Sequence, residues 1–353
     1  MSEKPSADRL RSWDILSLLS PRPMWRVVRG VARAPLDSDF AGSPLAVCWF
    51  LTFACNARCS FCCKAAEIRQ GRDAFPPLAL PDARRLMERI RRTVDILYLS
   101  GGEPLVHPHL SEILDEARRL EFASVGMSSN LIALDEHAGV LDRLDAVAVS
   151  IHAPDVAGHA RCLGVSEAVA ARALANLDLL AEAHRRRGLK VIVNCVINPD
   201  NVGRVMDMVE FTAQRGFLLE VVPANEHGGV SPELTANPAY GELIDRLIEL
   251  RRGGGAPHLA GSTAYYRNLK TLRPFRCFPY GVPNIMPDGR LCTPCDISGQ
   301  YGVNVLEHES LKAAVRASLP MLGAYPCRQG RCFKAGIMER SRLFGLLLSR
   351  TNE

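Results

Sequence analysis

Residues 45–62 read Leu45-Ala46-Val47-Cys48-Trp49-Phe50-Leu51-Thr52-Phe53-Ala54-Cys55-Asn56-Ala57-Arg58-Cys59-Ser60-Phe61-Cys62. The first half, Leu45 to Phe53, is a continuous apolar run, the pattern of a strand buried on both faces. The second half sets Cys55, Cys59 and Cys62 directly after that strand, at a C-x3-C-x2-C spacing. Further along, strand-like runs return at Asp95–Ser100, Ala123–Ser128, Ala146–His152, Lys190–Val196 and Phe217–Val222. Helical periodicity fills the gaps at 81–92, 109–120, 135–143, 165–187 and 202–215. Pro81 suits a first helical turn, and Gly188 and Gly216 suit helix ends. Six strands alternating with helices predict an α/β fold on a parallel sheet with right-handed crossovers. The alternation stops near Pro223, and two more helices are expected at Tyr240–Arg251 and Thr263–Leu272, on either side of Gly253-Gly254-Gly255.

Composition narrows the class. The chain has 353 residues, 47% apolar and 23% charged, with net charge +5, which excludes a disordered or low-complexity chain. The longest apolar run, Pro44–Cys55, is too short for a membrane helix, and Met1–Leu10 lacks the apolar core of a signal peptide, so a cytoplasmic protein is expected. The charge is too small to call for nucleic acid. The 12 cysteines are the anomaly. Cys55, Cys59, Cys62 and Cys63 crowd together, and Cys277, Cys292, Cys295, Cys327 and Cys332 gather near the end; Cys48, Cys162 and Cys195 lie scattered and read as packing. In a large chain without an export signal the two groups read as metal sites in a reducing compartment.

Soft thiolates select zinc or iron–sulfur chemistry. A structural zinc site is closed by four ligands, whereas this loop supplies three at tight spacing. On a four-iron cube, three cysteines leave one iron open to another ligand. A second motif, Ser100-Gly101-Gly102-Glu103-Pro104, ends the second strand. Its glycines let backbone come close to a ligand, and Glu103 offers an acceptor to an ammonium group. Ser128, Ser129 and Asn130 end the third strand, and Ser150 and His152 the fourth, where carboxyl ends of parallel strands line the mouth of such a fold. His107 and His109 read as shaping the loop before a helix.

With these motifs in order over Leu45–Val222, the sequence resembles the radical S-adenosylmethionine (radical SAM) superfamily. The resemblance implies a partial (β/α)6 TIM-like barrel and a [4Fe–4S] cluster with an open iron site, held by Cys55, Cys59 and Cys62. It implies S-adenosylmethionine on the open iron, with Phe61 at the adenine and Gly101, Gly102, Glu103 and Pro104 at the methionyl amine. Arg161 would pair with the carboxylate and Asn194 would face the ribose, with Ser128, Asn130, Ser150 and His152 around them. The reaction it implies is reductive cleavage to a 5'-deoxyadenosyl radical, with an electron donor such as flavodoxin or ferredoxin.

The second cysteine group resembles the SPASM and Twitch domains of the same superfamily, small C-terminal cysteine-rich modules that hold auxiliary clusters. Pro287-Asp288-Gly289-Arg290 predicts a hairpin that brings Cys277 towards Cys292 and Cys295. One auxiliary [4Fe–4S] cluster is expected on Cys277, Cys295, Cys327 and Cys332, with Cys292 as the alternative ligand and a four-cysteine zinc site as the alternative centre. The expected division is a basic amphipathic segment at 1–44, a core at 45–225, a helical linker at 226–275, the SPASM/Twitch-like domain at 276–340 and an amphipathic tail at 341–353. Arg22, Arg26, Arg29 and Arg33 among apolar residues suit either a helix docked on the barrel or contact with a membrane surface. The stretch Cys277-Phe278-Pro279-Tyr280-Gly281-Val282-Pro283, followed by Pro294-Cys295 and Cys327, loosely resembles the C-terminal region of adenosylhopene transferases, so a lipid or isoprenoid substrate is the leading expectation and a ribosomally made peptide the alternative.

Overall fold

The computed structural model describes residues 44–324, apart from 66–67, 69–74, 227–228, 276, 278 and 296–299. Cys327, Cys332 and both basic amphipathic ends fall outside the described residues. The core runs β1 (Val47–Thr52), α1 (Leu80–Arg91), β2 (Ile96–Gly101), α2 (Leu110–Arg119), β3 (Ser124–Ser129), β4 (Ala146–Ser150), α3 (Val156–Leu163), α4 (Glu167–Ala175), α5 (Leu177–Arg187), β5 (Lys190–Ile197), α6 (Val205–Ala213) and β6 (Leu218–Pro223). Strands β1 to β6 are neighbours in chain order and all pair in parallel. That is the arrangement helical crossovers enforce.

Each strand has two unlike faces. Leu97, Leu99, Val125, Met127, Val149, Val193 and Leu219 are fully buried under the helices. The alternate positions Tyr98, Ser100, Ser128, Ser150, Asn194 and Glu220 are less apolar and point the other way. The charge of Glu220 on β6 reaches Tyr98 on β2 and raises its hydroxyl, although β3, β4 and β5 lie between them in the sheet. In a flat sheet four strand spacings would separate them by about 19 Å. The sheet therefore curls so that its inner faces oppose each other, a partial barrel.

The helices depart from the periodicity in three places. The run 165–187 is broken into α4 and α5 at Asn176, whose side-chain amide donates to the Leu131 carbonyl at 2.8 Å and to Asp135 at 3.1 Å. Helix α3 precedes it, capped by Asp155, which accepts the Gly158 N–H at 2.8 Å. Leu134–Arg143 is 3-10 helix kinked at His137 instead of α-helix.

After β6 come a short β7–β8 hairpin (Asn225–Glu226 with Gly229–Val230), α7 (Pro232–Ala236), α8 (Pro238–Gly253) and α9 (Thr263–Thr271). Tyr265 hydroxyl fastens α9 to the barrel by donating to the Val221 carbonyl at 2.8 Å. The remaining strands, β9 (Asn284–Ile285), β10 (Arg290–Cys292) and β11 (Tyr301–Asn304), do not form a separate sheet. β9 pairs in parallel with β1, and β10 and β11 follow antiparallel, giving nine strands in one sheet. The expected Asp288-Gly289 turn sets Leu291 opposite Ile285 and Cys292 opposite Asn284. A last helix, α10 (Leu311–Ser318), packs behind. Arg89 of α1 donates to the Val305 and Leu306 carbonyls, and Arg92 to that of Glu309 at 3.0 Å, which latches this end to the barrel. Among the described residues no helix is long and apolar enough to cross a membrane.

Candidate active site

Cys55, Cys59 and Cys62 occupy the loop after β1, all partly buried, while neighbouring Cys63 is exposed. Burial pushes the Cys59 thiol up to about 12, and the nearby Cys62 and Cys55 push it the same way. Burial also raises Cys55, against the Ala57 N–H that points at its sulfur from 3.4 Å. Two thiols that resist ionisation beside a third suit a positively charged centre, which supplies the compensation that water does not. Among the described residues no three His, Cys, Asp or Glu side chains meet closely enough to hold a single metal ion. A cube makes no such demand, since each of its irons takes its own thiolate.

The loop is fastened from three sides. On the β2 side, Gly102 N–H donates to the Thr52 carbonyl at 2.7 Å and Glu103 N–H to that of Ala54 at 2.9 Å. A Cβ on Gly101 would lie 2.2 Å from the Thr52 oxygen, and one on Gly102 2.3 Å from the Ala54 oxygen. The close approach these glycines permit is thus first of all to the cysteine loop itself. On the α3 side, Arg58 N–H donates to the Leu163 carbonyl at 2.8 Å. Gly164, at φ 64°, lies so near that an added Cβ would be 2.4 Å from the Arg58 oxygen. The third fastening is Asn130, whose Nδ2 donates to Asn56 Oδ1 at 2.7 Å and reaches Cys55 Sγ at 4.0 Å.

Glu103 is 1% exposed. Its Oε1 accepts from the Leu105 N–H and the Ser129 hydroxyl, both at 3.0 Å, and its Oε2 from the Asn130 N–H at 2.6 Å. Burial outweighs those three donors and raises its carboxyl to about 7. The carboxylate staples the ends of β2 and β3 together, which leaves about one of its four acceptor positions for a ligand ammonium. Pro104 is buried and opens a short 3-10 turn, Pro104–Val106. His107 Nδ1 accepts the His109 N–H at 3.2 Å, the loop-shaping part expected of this pair.

Phe61 stands edge-on to His152, ring centroids 4.9 Å apart. His152 is 2% exposed, its Nδ1 accepts the Val196 N–H at 3.2 Å, and burial lowers it to about 3, so the ring is neutral. Ser128 bonds Ser100 at 2.9 Å, and Ser150 lies opposite Asn194 in register. Asn194 Oδ1 is buried with no hydrogen-bond partner in the protein, and a ligand hydroxyl would satisfy it. Arg161 is exposed on α3. The structure thus brings the cysteine loop, Glu103, Asn130, Phe61 and His152 together. It adds Asn56, Arg58, Ser129 and Gly164, of which only Ser129, within Ser128-Ser129-Asn130, carried a signal in the sequence.

In the second group, Cys292 is 2% exposed within an apolar cluster of Phe50, Phe53, Phe75 and Met286. Its thiol donates to the Cys295 carbonyl at 3.0 Å. Cys277 and Cys295 are partly exposed. Cys162 and Cys195 are buried, as packing cysteines should be.

A loop of three thiols at the mouth of a partial barrel, seamed to a Gly-Gly-Glu-Pro turn, has a counterpart among known proteins. Residues 49–212 match the Radical SAM superfamily. The chain carries a radical SAM domain and is an enzyme of that superfamily. It is similar to the PqqA peptide cyclase of Gluconobacter oxydans, 26% identical over 261 residues, 71% of this chain and 70% of that protein. It is also similar to GTP 3',8-cyclase 2 of Mycobacterium tuberculosis, 32% identical over 187 residues, about half the length of each. Among solved structures, the Streptococcus suis protein SuiB shares the fold. Its complex with precursor peptide SuiA gives a TM-score of 0.59 at 15% identity, over 77% of this chain and 64% of SuiB. Its S-adenosylmethionine complex gives 0.58 at 17% identity, over 76% and 64%. For the radical SAM domain, the three thiols and the unsatisfied Asn194 oxygen are the features that fit a cluster and its S-adenosylmethionine.

Proposed function

We propose that the chain binds a [4Fe–4S] cluster through Cys55, Cys59 and Cys62, binds S-adenosylmethionine beside it, and modifies a carbon of a peptide. When bound and reduced, this pair supplies methionine and a 5'-deoxyadenosyl radical. The protein's own residues do the positioning. The Gly101–Glu103 seam and the Arg58–Leu163 bond fix the loop, Phe61 and the neutral His152 offer an apolar wall for the adenine, and Asn194 offers an acceptor to the ribose. Arg161, exposed on α3, would pair with the carboxylate. A flavodoxin or ferredoxin is the electron donor this chemistry calls for.

The peptide reading replaces the lipid expectation on one observation. Similarity to the peptide cyclase extends over 261 residues, far more than the 49–212 domain holds, whereas the GTP cyclase match covers 187 residues. The fold shared with SuiB supports it, and the lipid reading rested on a loose resemblance of the Cys277–Cys327 stretch and on basic ends outside the described residues. For the second group, the apolar burial of Cys292 supports Cys277, Cys295, Cys327 and Cys332 as ligands of an auxiliary cluster. The test is anaerobic reconstitution with iron and sulfide, reduction with dithionite, and assay of 5'-deoxyadenosine with short peptides encoded beside the gene. A mass change in a peptide is expected. Turnover on isoprenoids with every such peptide untouched would overturn the peptide reading, and absence of 5'-deoxyadenosine would overturn the site itself.

A further inference from the structure

Asn130 has more partners than a strand-end asparagine needs. It is 6% exposed, and each of its polar ends is occupied. Its N–H donates to Glu103 Oε2 at 2.6 Å, and its Oδ1 accepts the Ile132 N–H at 3.0 Å. Because an N–H can only donate, the Ile132 bond fixes which end of the amide is oxygen and turns Nδ2 towards the cysteine loop. One Nδ2 hydrogen goes to Asn56 Oδ1 at 2.7 Å, which sets the plane of the amide. The other is left facing Cys55 Sγ at 4.0 Å, on a sulfur that the Ala57 N–H also approaches from 3.4 Å.

We propose that Asn130 is a positioning residue that holds an N–H dipole against the Cys55 sulfur and so raises the reduction potential of a cluster bound there. The inference rests on the site reading above. Reduction adds negative charge to a cluster and its thiolates, and an N–H aimed at a ligating sulfur stabilises the reduced form more than the oxidised one. The amide also sits at a junction. Glu103 holds its backbone and Asn56 its head, so the ends of β2 and β3 and the cysteine loop all determine where that N–H points.

The experiment is an EPR-monitored redox titration of the full chain, reconstituted anaerobically, in which the loop cluster is the signal that changes on adding S-adenosylmethionine. Asn130→Ser and Asn130→Asp both keep an oxygen able to cap Ile132 and both lose the amide N–H. Both are expected to retain loop iron, and the loop signal is assigned in each from the one that responds in the unaltered protein. Their midpoints should fall, Asp further than Ser, so that at a fixed poise the ratio of reduced to oxidised cluster drops up to about tenfold, equivalent to about 59 mV for one electron. An unchanged midpoint in both variants would overturn the proposal. So would loss of loop iron in both with the remaining signal at its original midpoint, since that marks a purely structural asparagine. If no signal of the unaltered protein responds to S-adenosylmethionine, the site reading fails first, and this proposal with it.

Discussion

The two cysteine groups are built on opposite physical plans. The first hangs between β2, β3 and α3, its thiols at the edge of the core, with hydrogen-bonding groups of Asn130, Asn56 and Ala57 around Cys55. The second sits on a hairpin added to the edge of β1, and its Cys292 is sunk among Phe50, Phe53, Phe75 and Met286. Under the proposed assignment, crowding of cysteines in sequence does not separate ligand from filler. What separates them is the company of the sulfur, since a thiolate on a cluster wants N–H groups nearby and a packing thiol wants carbon.

The largest expected effect removes the first plan altogether. Replacing Cys55, Cys59 and Cys62 together by Ala should abolish 5'-deoxyadenosine formation and remove roughly half of the iron of a two-cubane protein. Iron assay and product chromatography check this, and residual cleavage in the triple variant would remove the loop from the mechanism. The reciprocal change sharpens the comparison. Cys277→Ala with Cys327→Ala should also lower iron by roughly half, yet leave S-adenosylmethionine cleavage without substrate largely intact. Cys292→Ala should cost stability as a small core truncation and leave iron unchanged. Iron loss in Cys292→Ala matching that of the double variant would make Cys292 a ligand despite its apolar surroundings.

A smaller effect is expected where the first loop is held from behind. Gly164 and Gly188 share a left-handed backbone, at φ 64° and 72°, but a Cβ on Gly164 would strike the Arg58 carbonyl whereas one on Gly188 meets nothing within 4 Å. Left-handed backbone alone costs an alanine about 1–2 kcal/mol. Gly188→Ala should therefore lower the urea midpoint modestly and spare iron loading. Gly164→Ala should lose about 2–3 kcal/mol and lower iron in the loop as well, because Arg58 must move. Equal iron loading in both variants would mean that the α3 seam does not set the loop.

Much of this architecture was readable in advance because the helix-facing side of the strands is apolar except at Ser129, which ends β3, so the β1–β6 alternation showed through. The cysteine spacing and the Gly-Gly-Glu-Pro turn were readable because both are local. What stayed hidden depends on distant partners. Asn130 meets Asn56 across 74 positions, and the break at Asn176 is made by a bond to Leu131, 45 positions away. Helix α3 is only eight residues long and begins at a polar cap, too short for periodicity to mark it. That the C-terminal hairpin joins the barrel sheet through β9 was equally invisible, since a two-residue strand carries almost no pattern.

The smallest expected effect separates the scaffold around the site from the site itself, through pH. His152 and His159 lie side by side, centroids 6.0 Å apart, and the His152 N–H donates to His159 Nδ1 at 3.4 Å. Burial lowers His152 to about 3 and His159 to about 4. The unfolded chain therefore binds more protons than the folded one below about pH 6.5, so the stability these rings contribute is present above that pH and is lost as pH falls towards 4. Between pH 7 and 5 linkage gives a loss of about 2 kcal/mol for each ring. Glu103 works in the opposite direction, because its folded value of about 7 lies above the ordinary carboxylate range, and burial is the cause. Its folded form keeps a proton the unfolded chain has released, which offsets about 2 kcal/mol over the same interval. The unaltered protein should thus be less stable at pH 5 than at pH 7 by about 2 kcal/mol net, read from urea midpoints. In His159→Gln, where an amide oxygen is able to accept the His152 N–H, one of the two losses is gone and the midpoints at pH 5 and 7 should nearly coincide. A slope in His159→Gln as steep as in the unaltered protein would show that this ring does not titrate with unfolding, and would place the acid sensitivity at other groups.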